Sequence, residues 1–375
     1  MMSLSFTIPD KIVIKLRKLS EMLANVKQIA ETLSVQELEY IKRNVFISNV
    51  GASTRIENAV LTNAEIDWID TTLSEDSKTT AYDICKELIH DKLSKDKERS
   101  IDEVVGCRAM LNLIYKEGVD LFPLTEVTIR GLHKELLRYY AKADYHSGGY
   151  KKQPNSVIRR VGKEEQPVFI TASPGLETQE AMSELVKWYN EALLQHPWSV
   201  AVAVEFVFRF LAIHPFQDGN GRLARGLFNL SLLQSSDKTL SFMVPYLAID
   251  RYIEKEREDY YYVLRRCSDG QFLRDSTKYE YEHFLRFMID AIASAASDLS
   301  FYRNRYEGYQ KLSDGARLIL SCFKEFPERR LQIKMIVEQT DLPRRTVNDA
   351  LNMLLDKGFI QRYGQGAGIR YQLIF

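Results

Sequence analysis

An apolar segment at residues 200–213, which ends on a His-Pro dipeptide, restricts the fold more than any other stretch of the chain. Only Glu205 and Arg209 interrupt its apolar side chains, and a helix that is apolar on nearly every face is typical of a buried position. His214 precedes Pro215, and the residue before a proline is disfavoured in the helical conformation. The sequence therefore predicts a buried helix that ends at His214, with the imidazole at the rim of the core.

A polar turn follows this helix and has the sequence Asp-Gly-Asn-Gly at residues 218–221. Glycine and asparagine tolerate positive φ, so successive N–H groups in such a turn can converge on an anion. Leucines at helical spacing predict a second helix from about residue 221, and the positive end of its dipole adds to the attraction. Arg222 and Arg225 are three residues apart, so they share a helix face and can hold phosphate groups.

Two side chains beside this turn are suited to metal binding and to proton transfer. Asp218 offers an oxygen ligand for Mg²⁺, which binds through few carboxylates together with substrate phosphates. His214, with an unperturbed pKa of ~6.5, is suited to accept a hydroxyl proton at neutral pH. The Walker A, dinucleotide-binding and protein-kinase signatures are absent from the sequence. The residues therefore predict group transfer from a nucleotide that is held in another way.

The run from His214 to Arg225 resembles the signature of Fic-domain proteins, His-Pro-Phe-x-Asp-Gly-Asn-Gly-Arg-x-x-Arg, at every specified position. The resemblance extends over about residues 101–265. It implies a mainly α, Fic-type helical bundle that transfers AMP from ATP, with Mg²⁺, to Ser, Thr or Tyr hydroxyls of proteins. The implied roles are general base for His214, loop anchor for Phe216, Mg²⁺ ligand for Asp218, cradle of the α- and β-phosphates for Gly219, Asn220 and Gly221, and contacts to the β- and γ-phosphates for Arg222 and Arg225.

Residues 143–174 contain too many glycines and prolines for a helix. Two short β-favouring runs, 157–158 and 168–170, flank the polar stretch 162–166, so this region is predicted to form a β-hairpin. By the resemblance the hairpin is a flap, and the edge of residues 158–171 can pair with a target segment by strand addition. Without the resemblance, an ordinary surface hairpin is the favoured interpretation.

Residues 53–58, Ser-Thr-Arg-Ile-Glu-Asn, resemble the inhibitory pattern of the same family, Ser/Thr-x-x-x-Glu-Gly/Asn. The pattern precedes the predicted core, as in relatives that carry an N-terminal inhibitory helix. The resemblance implies that Glu57 pairs with Arg225 and removes its donors from the γ-phosphate. The alternative is a capped helix start, which has a similar pattern. Whether Glu57 also supports removal of AMP is left open.

Three regions are predicted along the chain: an N-terminal helical region with the inhibitory motif at residues 1–95, the Fic catalytic core at 96–310 and a winged helix-turn-helix domain at 312–375. The last prediction rests on three helical stretches, at 316–326, 333–339 and 345–357, followed by a hairpin signal. Other amphipathic helices are predicted at residues 11–30, 80–93, 101–115, 125–140, 177–194, 252–266 and 279–302.

The C-terminal region also carries a modest positive charge. Residues 315–375 contain ten basic and six acidic side chains, an excess of +4, which is small for a dedicated DNA-binding module. DNA binding and protein contacts are therefore equal alternatives, because a fold alone does not fix a function. The basic candidates are Arg344 and Arg345, with Asn348 nearby, on the last helix, and Arg362 and Arg370 in the wing.

The composition of the whole chain narrows the range of expected binding partners. The chain has 51 basic and 51 acidic residues, so no global charge favours nucleic acid or a membrane surface. No signal peptide or membrane span is predicted, and four cysteines without close spacing favour a reduced, cytoplasmic chain. The expected partner is a protein with a hydroxyl side chain, the chain itself included, and a homodimer is left open. Transfer of phosphate or another nucleotide, and a DNA-binding regulator with a nucleotide-sensing core, remain alternatives.

Overall fold

A computed structural model describes residues 4–74, 82–140, 146–161 and 164–374. Within them the chain is mainly helical, as the sequence predicted. The helices are α1 (Asp10–Glu31), α2 (Val35–Ile56), α3 (Asn63–Thr72), α4 (Tyr82–Lys92), α5 (Glu98–Glu117), α6 (Glu126–Leu137), α7 (Leu176–Gln195), α8 (Ser199–Ile213), α9 (Asn220–Leu233), α10 (Lys238–Met243), α11 (Ile249–Lys255), α12 (Arg257–Arg266), α13 (Glu282–Ser297), α14 (Leu299–Gln310), α15 (Asp314–Glu325), α16 (Ile333–Thr340) and α17 (Arg344–Asp356). The strands are β1 (Ser156–Val161), β2 (Glu164–Ile170), β3 (Ile360–Tyr363) and β4 (Arg370–Leu373).

Two compact units divide the chain, and neither is continuous in sequence. Unit 1 consists of Met1–Ser34, Ser48–Ala59 and Asp102–Leu299. Unit 2 consists of Val35–Ile47, Val60–Ile101 and Ser300–Phe375. The residues predicted as one N-terminal region are thus shared between both units, and the three predicted domain boundaries remain a prediction.

Helix α8 forms the centre of unit 1, as its apolar sequence predicted. Every residue of the helix except Arg209 is buried, and the helix packs against α7, α9 and α13. Its one buried acid, Glu205, accepts hydrogen bonds from the Ser5 backbone N–H (2.9 Å) and from Arg209 (3.3 Å). Three fully buried phenylalanines, at positions 206, 208 and 210, each stabilise the fold by roughly 1.5–3 kcal/mol. The helix end that carries His214 is therefore fixed within a rigid core.

The predicted hairpin is present, because β1 and β2 pair antiparallel from Ser156↔Ile170 to Val161↔Glu164. At the base of the hairpin, Ile170 also bonds a second segment. Its N–H donates to the Gly270 carbonyl (2.8 Å), and its carbonyl accepts from the Phe272 N–H (2.8 Å). Residues 80–81 of a predicted helix, residues 143–145, and residues 162–163 of the predicted hairpin turn lie outside the described residues.

The C-terminal part of unit 2 has the predicted order of three helices, α15, α16 and α17, followed by the antiparallel pair β3–β4. Its core includes Phe323, Ile336, Val347 and Leu354. Leu331 pairs with Tyr371 through two backbone hydrogen bonds of 2.8 Å, which ties the stretch before α16 to β4. The designation of this segment as a winged helix stays a prediction.

Two predicted helices are each divided in two. The stretch 252–266 breaks at Glu256 (φ −104°, ψ 36°) between α11 and α12, and 279–302 breaks at Asp298 between α13 and α14. Apolar spacing continues across both breaks, so the pattern gave no sign of them. In the ranges that the structure describes, no helix combines the length and the apolar content needed to cross a bilayer.

Candidate active site

His214 follows the last residue of α8 in a left-handed backbone conformation (φ 51°, ψ 59°). This conformation costs a non-glycine residue about 1–2 kcal/mol, so surrounding contacts must hold it. The ring Nδ1 lies 3.3 Å from the Leu211 carbonyl oxygen. Because a carbonyl only accepts, the neutral ring carries its proton on Nδ1 and leaves the lone pair on Nε2.

The environment of His214 favours the uncharged ring. Burial, and to a smaller degree the nearby Lys151 ammonium, lower the pKa of His214 to about 4. The Leu211 carbonyl and the carboxylates of Glu57 and Asp218 act in the opposite direction. At neutral pH the imidazole is therefore unprotonated and able to accept a proton.

The segment after His214 is fixed by the side chain of Asn220. Its Oδ1 accepts the Phe216 backbone N–H (2.9 Å), and its Nδ2 donates to the Phe216 carbonyl (2.7 Å). The Phe216 ring is fully buried and stacks on His133, with 3.8 Å between ring centroids. His133 accepts the Gly148 N–H at Nδ1 (2.9 Å), so Nε2 carries the proton and donates to the Asp218 carbonyl (2.9 Å). Asn220 thus acts through its side chain on the loop, in addition to the backbone role implied by the resemblance.

The N-terminus of α9 is open. The residue that precedes the helix, Gly219, has φ 78°, a left-handed conformation that favours glycine, and no side chain caps the helix. The first N–H groups of an uncapped helix have no intrahelical acceptor. At Gly221 a Cβ atom would collide with the Glu57 Oε1 atom, so only glycine leaves room for that carboxylate. The Gly219 N–H donates to Asp218 Oδ1 (2.6 Å), no side chain caps the helix, and an anion site at this turn remains a prediction.

Arg222 is buried, with 3% of its surface exposed. Its Nη2 lies 3.4 Å from Asp218 Oδ1, and its Nη1 lies 4.0 Å from Glu103 Oε2. Among the residues described, Nε and Nη1 have no hydrogen-bond acceptor. Leaving a buried donor unsatisfied costs about 1–3 kcal/mol, and such a group in a folded protein calls for an explanation such as a bound ligand.

Arg225 is equally buried, but its donors are occupied by residues at the end of α2. Its Nε donates to Ser53 Oγ (2.9 Å), and its Nη2 donates to the Ser53 carbonyl (2.7 Å) and to Glu57 Oε1 (2.9 Å). Asp250 Oδ2 lies 4.0 Å from Nε, and burial raises the pKa of Asp250 to about 6. The structure thus brings Glu57 and Arg225 together, while an inhibitory role of the contact remains a prediction.

The inhibitory pattern lies at the end of a helix, so the alternative interpretation as a capped helix start is wrong. The Ala59 N–H donates to the Thr54 carbonyl (3.1 Å), and the Asn58 N–H donates to the Arg55 carbonyl (2.9 Å). With Asn58 at φ 73°, these bonds form a Schellman C-cap, which favours glycine or asparagine at that position. This helix stop places the Glu57 side chain beside Arg225.

Asp218 is the one predicted site residue with a substantially exposed side chain, at 41%. Its Oδ1 accepts the Gly219 N–H (2.6 Å). No group of three or more His, Cys, Asp or Glu side chains in the described ranges could hold a metal ion. A single carboxylate fits Mg²⁺ only when substrate phosphates supply further oxygen ligands.

Sequence reasoning missed Lys151 and Asn155, which contact the His214 segment, and Thr171, which bonds both of them from the other end of the β1–β2 hairpin. It also missed His133, which donates to the Asp218 carbonyl. None of these residues lies in a motif or at a spacing that indicates a functional site. Their contacts join parts of the chain that are far apart in sequence. No local signal could have found them.

Comparisons with known proteins show which family of folds this chain resembles. Residues 123–232 match the model of the Fic/DOC family, so the chain contains a Fic domain. A Fic family protein from Desulfovibrio desulfuricans G20 is 21% identical, with a TM-score of 0.57, and the match covers 98% of this chain and 97% of that one. A Fic domain containing signaling protein from Bacteroides thetaiotaomicron VPI-5482 is 24% identical over 77% of this chain and 97% of that chain, with a TM-score of 0.55.

A third similar structure is Fic-1 (aa134–508) from C. elegans, 18% identical over 77% of this chain and 71% of that one, with a TM-score of 0.52. At these identities the three structures show the fold, which is that of Fic proteins. Proteins with this domain generally transfer nucleotide or phosphate groups onto other proteins.

Proposed function

We propose that the chain is a protein adenylyltransferase, which moves AMP from ATP to Ser, Thr or Tyr hydroxyls and is restrained by Glu57. The observation that carries the proposal is the pair of buried arginines beside a neutral histidine. Arg222 has donors without an acceptor among the residues described, and Arg225 has a carboxylate in place of a phosphate. A nucleoside triphosphate supplies the oxygens that both side chains need.

The chemistry follows from the orientation of His214. The target hydroxyl oxygen attacks the α-phosphorus of ATP, the bond from that phosphorus to the bridging oxygen breaks, and pyrophosphate leaves. His214 takes the hydroxyl proton on Nε2, because Nδ1 carries the ring proton toward the Leu211 carbonyl. The open N–H groups before Arg222 and the two guanidinium groups hold the phosphates in line.

Asp218 is the residue that would hold Mg²⁺, together with the phosphates of ATP. When bound, the ion neutralises charge on the triphosphate. Asp218 Oδ1 already accepts the Gly219 N–H and lies near Arg222, so the carboxylate is oriented before any ion binds.

Glu57 restrains the reaction by occupying Arg225. With Nη2 bonded to Glu57 Oε1 and Nε bonded to Ser53, little of the guanidinium remains for a γ-phosphate. The Glu57 carboxylate also lies against Gly221, where the phosphates would pass. ATP that binds in this state lacks its outer-phosphate contact, so its α-phosphate is not aligned with His214.

The test is transfer of label from ATP labelled at the α-phosphate, with Mg²⁺, with and without cell lysate. We expect weak labelling by the unmodified chain, stronger labelling by Glu57→Gly and none when His214→Ala is added. Asn58→Gly is the matched control, because it introduces a glycine at the next position and leaves the carboxylate. Intact mass of the labelled protein must increase by one AMP.

The same experiment separates the alternative groups. If label enters protein from γ-labelled ATP instead, the transferred group is phosphate. If it enters from another nucleotide, that nucleotide is the donor in place of ATP. Absence of transfer from every nucleotide, with all variants folded, would remove the enzyme proposal.

A second candidate function is DNA binding by the C-terminal segment of unit 2. Arg344 and Arg345 at the start of α17, and Arg362 and Arg370 on the two strands, are exposed. No ion pair with a described residue engages any of the four, so they are available to DNA phosphates.

Fluorescence anisotropy with a duplex DNA of about 25 base pairs, at 50 and 200 mM salt, tests this candidate. We expect binding that weakens with salt, and a smaller salt dependence in the double variant Arg344→Ala/Arg345→Ala. Arg286→Ala, which removes an arginine from α13 in unit 1, is the control and should bind as the unmodified chain does. Equal binding by both variants would leave protein contacts as the interpretation.

A further inference from the structure

Two residues that precede the β1–β2 hairpin hold four consecutive backbone carbonyl groups around His214, the proposed general base. These are the carbonyls of residues 213–216. The Lys151 Nζ and backbone N–H bond the first (2.9 Å) and third (2.8 Å) of these carbonyls. The Asn155 Nδ2 bonds the second (3.2 Å) and fourth (2.6 Å). The strained backbone of His214 is therefore imposed from outside its own helix and loop.

Lys151 is buried, with 3% of its surface exposed, and all three of its ammonium donors are used. Besides the Ile213 carbonyl, they reach Asn155 Oδ1 (2.9 Å) and Thr171 Oγ1 (3.0 Å). The Thr171 hydroxyl donates to the Asn155 carbonyl (2.8 Å), which closes the network. Lys151 and Asn155 precede β1 and Thr171 follows β2, so one side chain joins both ends of the hairpin to the His214 segment.

The charge of Lys151 is unusual for a purely structural residue. Burial lowers the pKa of Lys151 to about 8, and Glu177 opposes this only at longer range. No salt bridge to a described carboxylate stabilises the ammonium. A buried charge without an ion pair is costly, and an apolar side chain of similar size often stabilises a fold as well.

We propose that Lys151 is a positioning residue for the transfer: it fixes His214, the general base, to the hairpin, and its positive charge adds to the effect of burial in opposing protonation of the imidazole. This inference rests on the proposed function, in which the hairpin docks the target. Because the same network holds His214 and both hairpin ends, it fixes the position of the general base relative to the docked hydroxyl. A displacement of about 1 Å between them would cost on the order of 100-fold in rate.

The charged groups that face His214 make the second half of the proposal specific. Lys151 disfavours the protonated ring, whereas Glu57 and Asp218 favour it. In the active form Glu57 has moved away, so Lys151 then acts against Asp218 alone. In the Glu57→Gly parent, the repulsion between Lys151 and the protonated ring is therefore opposed by one carboxylate instead of two.

The test uses the full chain with Glu57→Gly as the parent and compares Lys151→Met with Lys151→Arg. Labelling from α-labelled ATP is measured against ATP concentration between pH 3.5 and 8.5. For Lys151→Met we expect kcat to fall roughly 10- to 100-fold, with KM for ATP nearly unchanged. We also expect the acid limb of the pH–rate profile to move up by about one pH unit, because the positive charge beside His214 is lost. Lys151→Arg keeps the charge, so its kcat falls while the acid limb stays in place.

Two further variants separate charge from support. Lys152→Met removes the exposed neighbouring lysine and should behave as the parent does. Thr171→Val removes one acceptor of Lys151 but keeps the charge, so we expect a smaller loss in kcat and no shift of the acid limb. It also provides a readout if Lys151→Met does not fold.

The His214 titration is followed directly by NMR of the imidazole Cε1–H signal, assigned by its loss in His214→Gln. An upward shift in Lys151→Met that is absent in Lys151→Arg supports the proposal. An unchanged His214 titration with a uniform loss of rate would overturn it and leave Lys151 as fold support. If the parent transfers nothing from ATP, the proposed function fails, whereas the titration still decides whether Lys151 controls the His214 charge.

Discussion

The two sides of the site are built differently. On one side, the segment 213–216 has every carbonyl bonded, and its Phe216 N–H is bonded by Asn220. On the other side, Glu57 has 32% of its side chain exposed and, among the residues that the structure describes, pairs with Arg225 alone. The difference shows which part is fixed for chemistry and which part is able to leave.

The free energies of these contacts lead to the same conclusion. Partly exposed ion pairs stabilise a protein by about 0–1 kcal/mol, so the Glu57 contact is readily displaced. Arg225 itself is buried, and removing the only partner of a buried charge costs about 3–5 kcal/mol. Here Ser53 keeps two hydrogen bonds to Arg225, and Asp250 lies 4.0 Å away. Glu57 can therefore leave without depriving the buried guanidinium of all its partners.

The largest effect is expected from weakening the fixed side with Asn220→Ala. The substitution removes both bonds to Phe216 and leaves its buried N–H without an acceptor, which costs about 1–3 kcal/mol of unfolding free energy. The phosphate turn and His214 then lose their fixed relation. In the Glu57→Gly background we expect transfer to fall at least about 100-fold. Chemical denaturation and label transfer measure the two effects.

The chain offers a matched control for this substitution. Asn190 makes the same pair of bonds to a single residue outside the site, accepting the Leu124 N–H (2.8 Å) and donating to the Leu124 carbonyl (2.7 Å). Asn190→Ala should lower the unfolding free energy to a similar degree and leave the rate nearly unchanged. If the two variants lose equal stability and equal activity, the fixed side has no special relation to catalysis.

The fixed side was partly predictable because much of it is local. Pro215 ends α8 in sequence, and Gly219 marks the left-handed turn, so the order of helix, turn and helix followed from neighbouring residues. The contacts of Lys151, Asn155 and His133 did not, because they bridge parts of the chain 59 to 85 residues apart. Apolar periodicity carries no information about such polar contacts.

Helix α2, which positions Glu57, was implied by the resemblance but not by its own sequence pattern, for a related reason. Residues 47–54 are buried without interruption, and they include Ser48, Asn49, Ser53 and Thr54. Buried polar residues remove the alternation of apolar and polar faces on which helix prediction depends. The motif was recognised by resemblance, whereas the helix that ends in it was not recognised from its pattern.

A smaller effect is expected at the displaceable side, from Asn58→Ala compared with Asn58→Gly. Alanine at φ 73° costs about 1–2 kcal/mol, whereas glycine adopts that conformation freely. Both substitutions lose the hydrogen bond from Arg257 to Asn58 (3.0 Å), so their difference isolates the backbone conformation.

If the end of α2 holds Glu57 against Arg225, the strain of alanine loosens that contact. We expect label transfer to rise in Asn58→Ala by at most about tenfold, since 1.4 kcal/mol corresponds to a factor of ten. Asn58→Gly stays restrained, and Glu57→Gly exceeds both because it removes the carboxylate. Equal rates for alanine and glycine at this position would mean that Glu57 is held by its ion pair alone, and the left-handed C-cap would then position the helix end without contributing to the restraint.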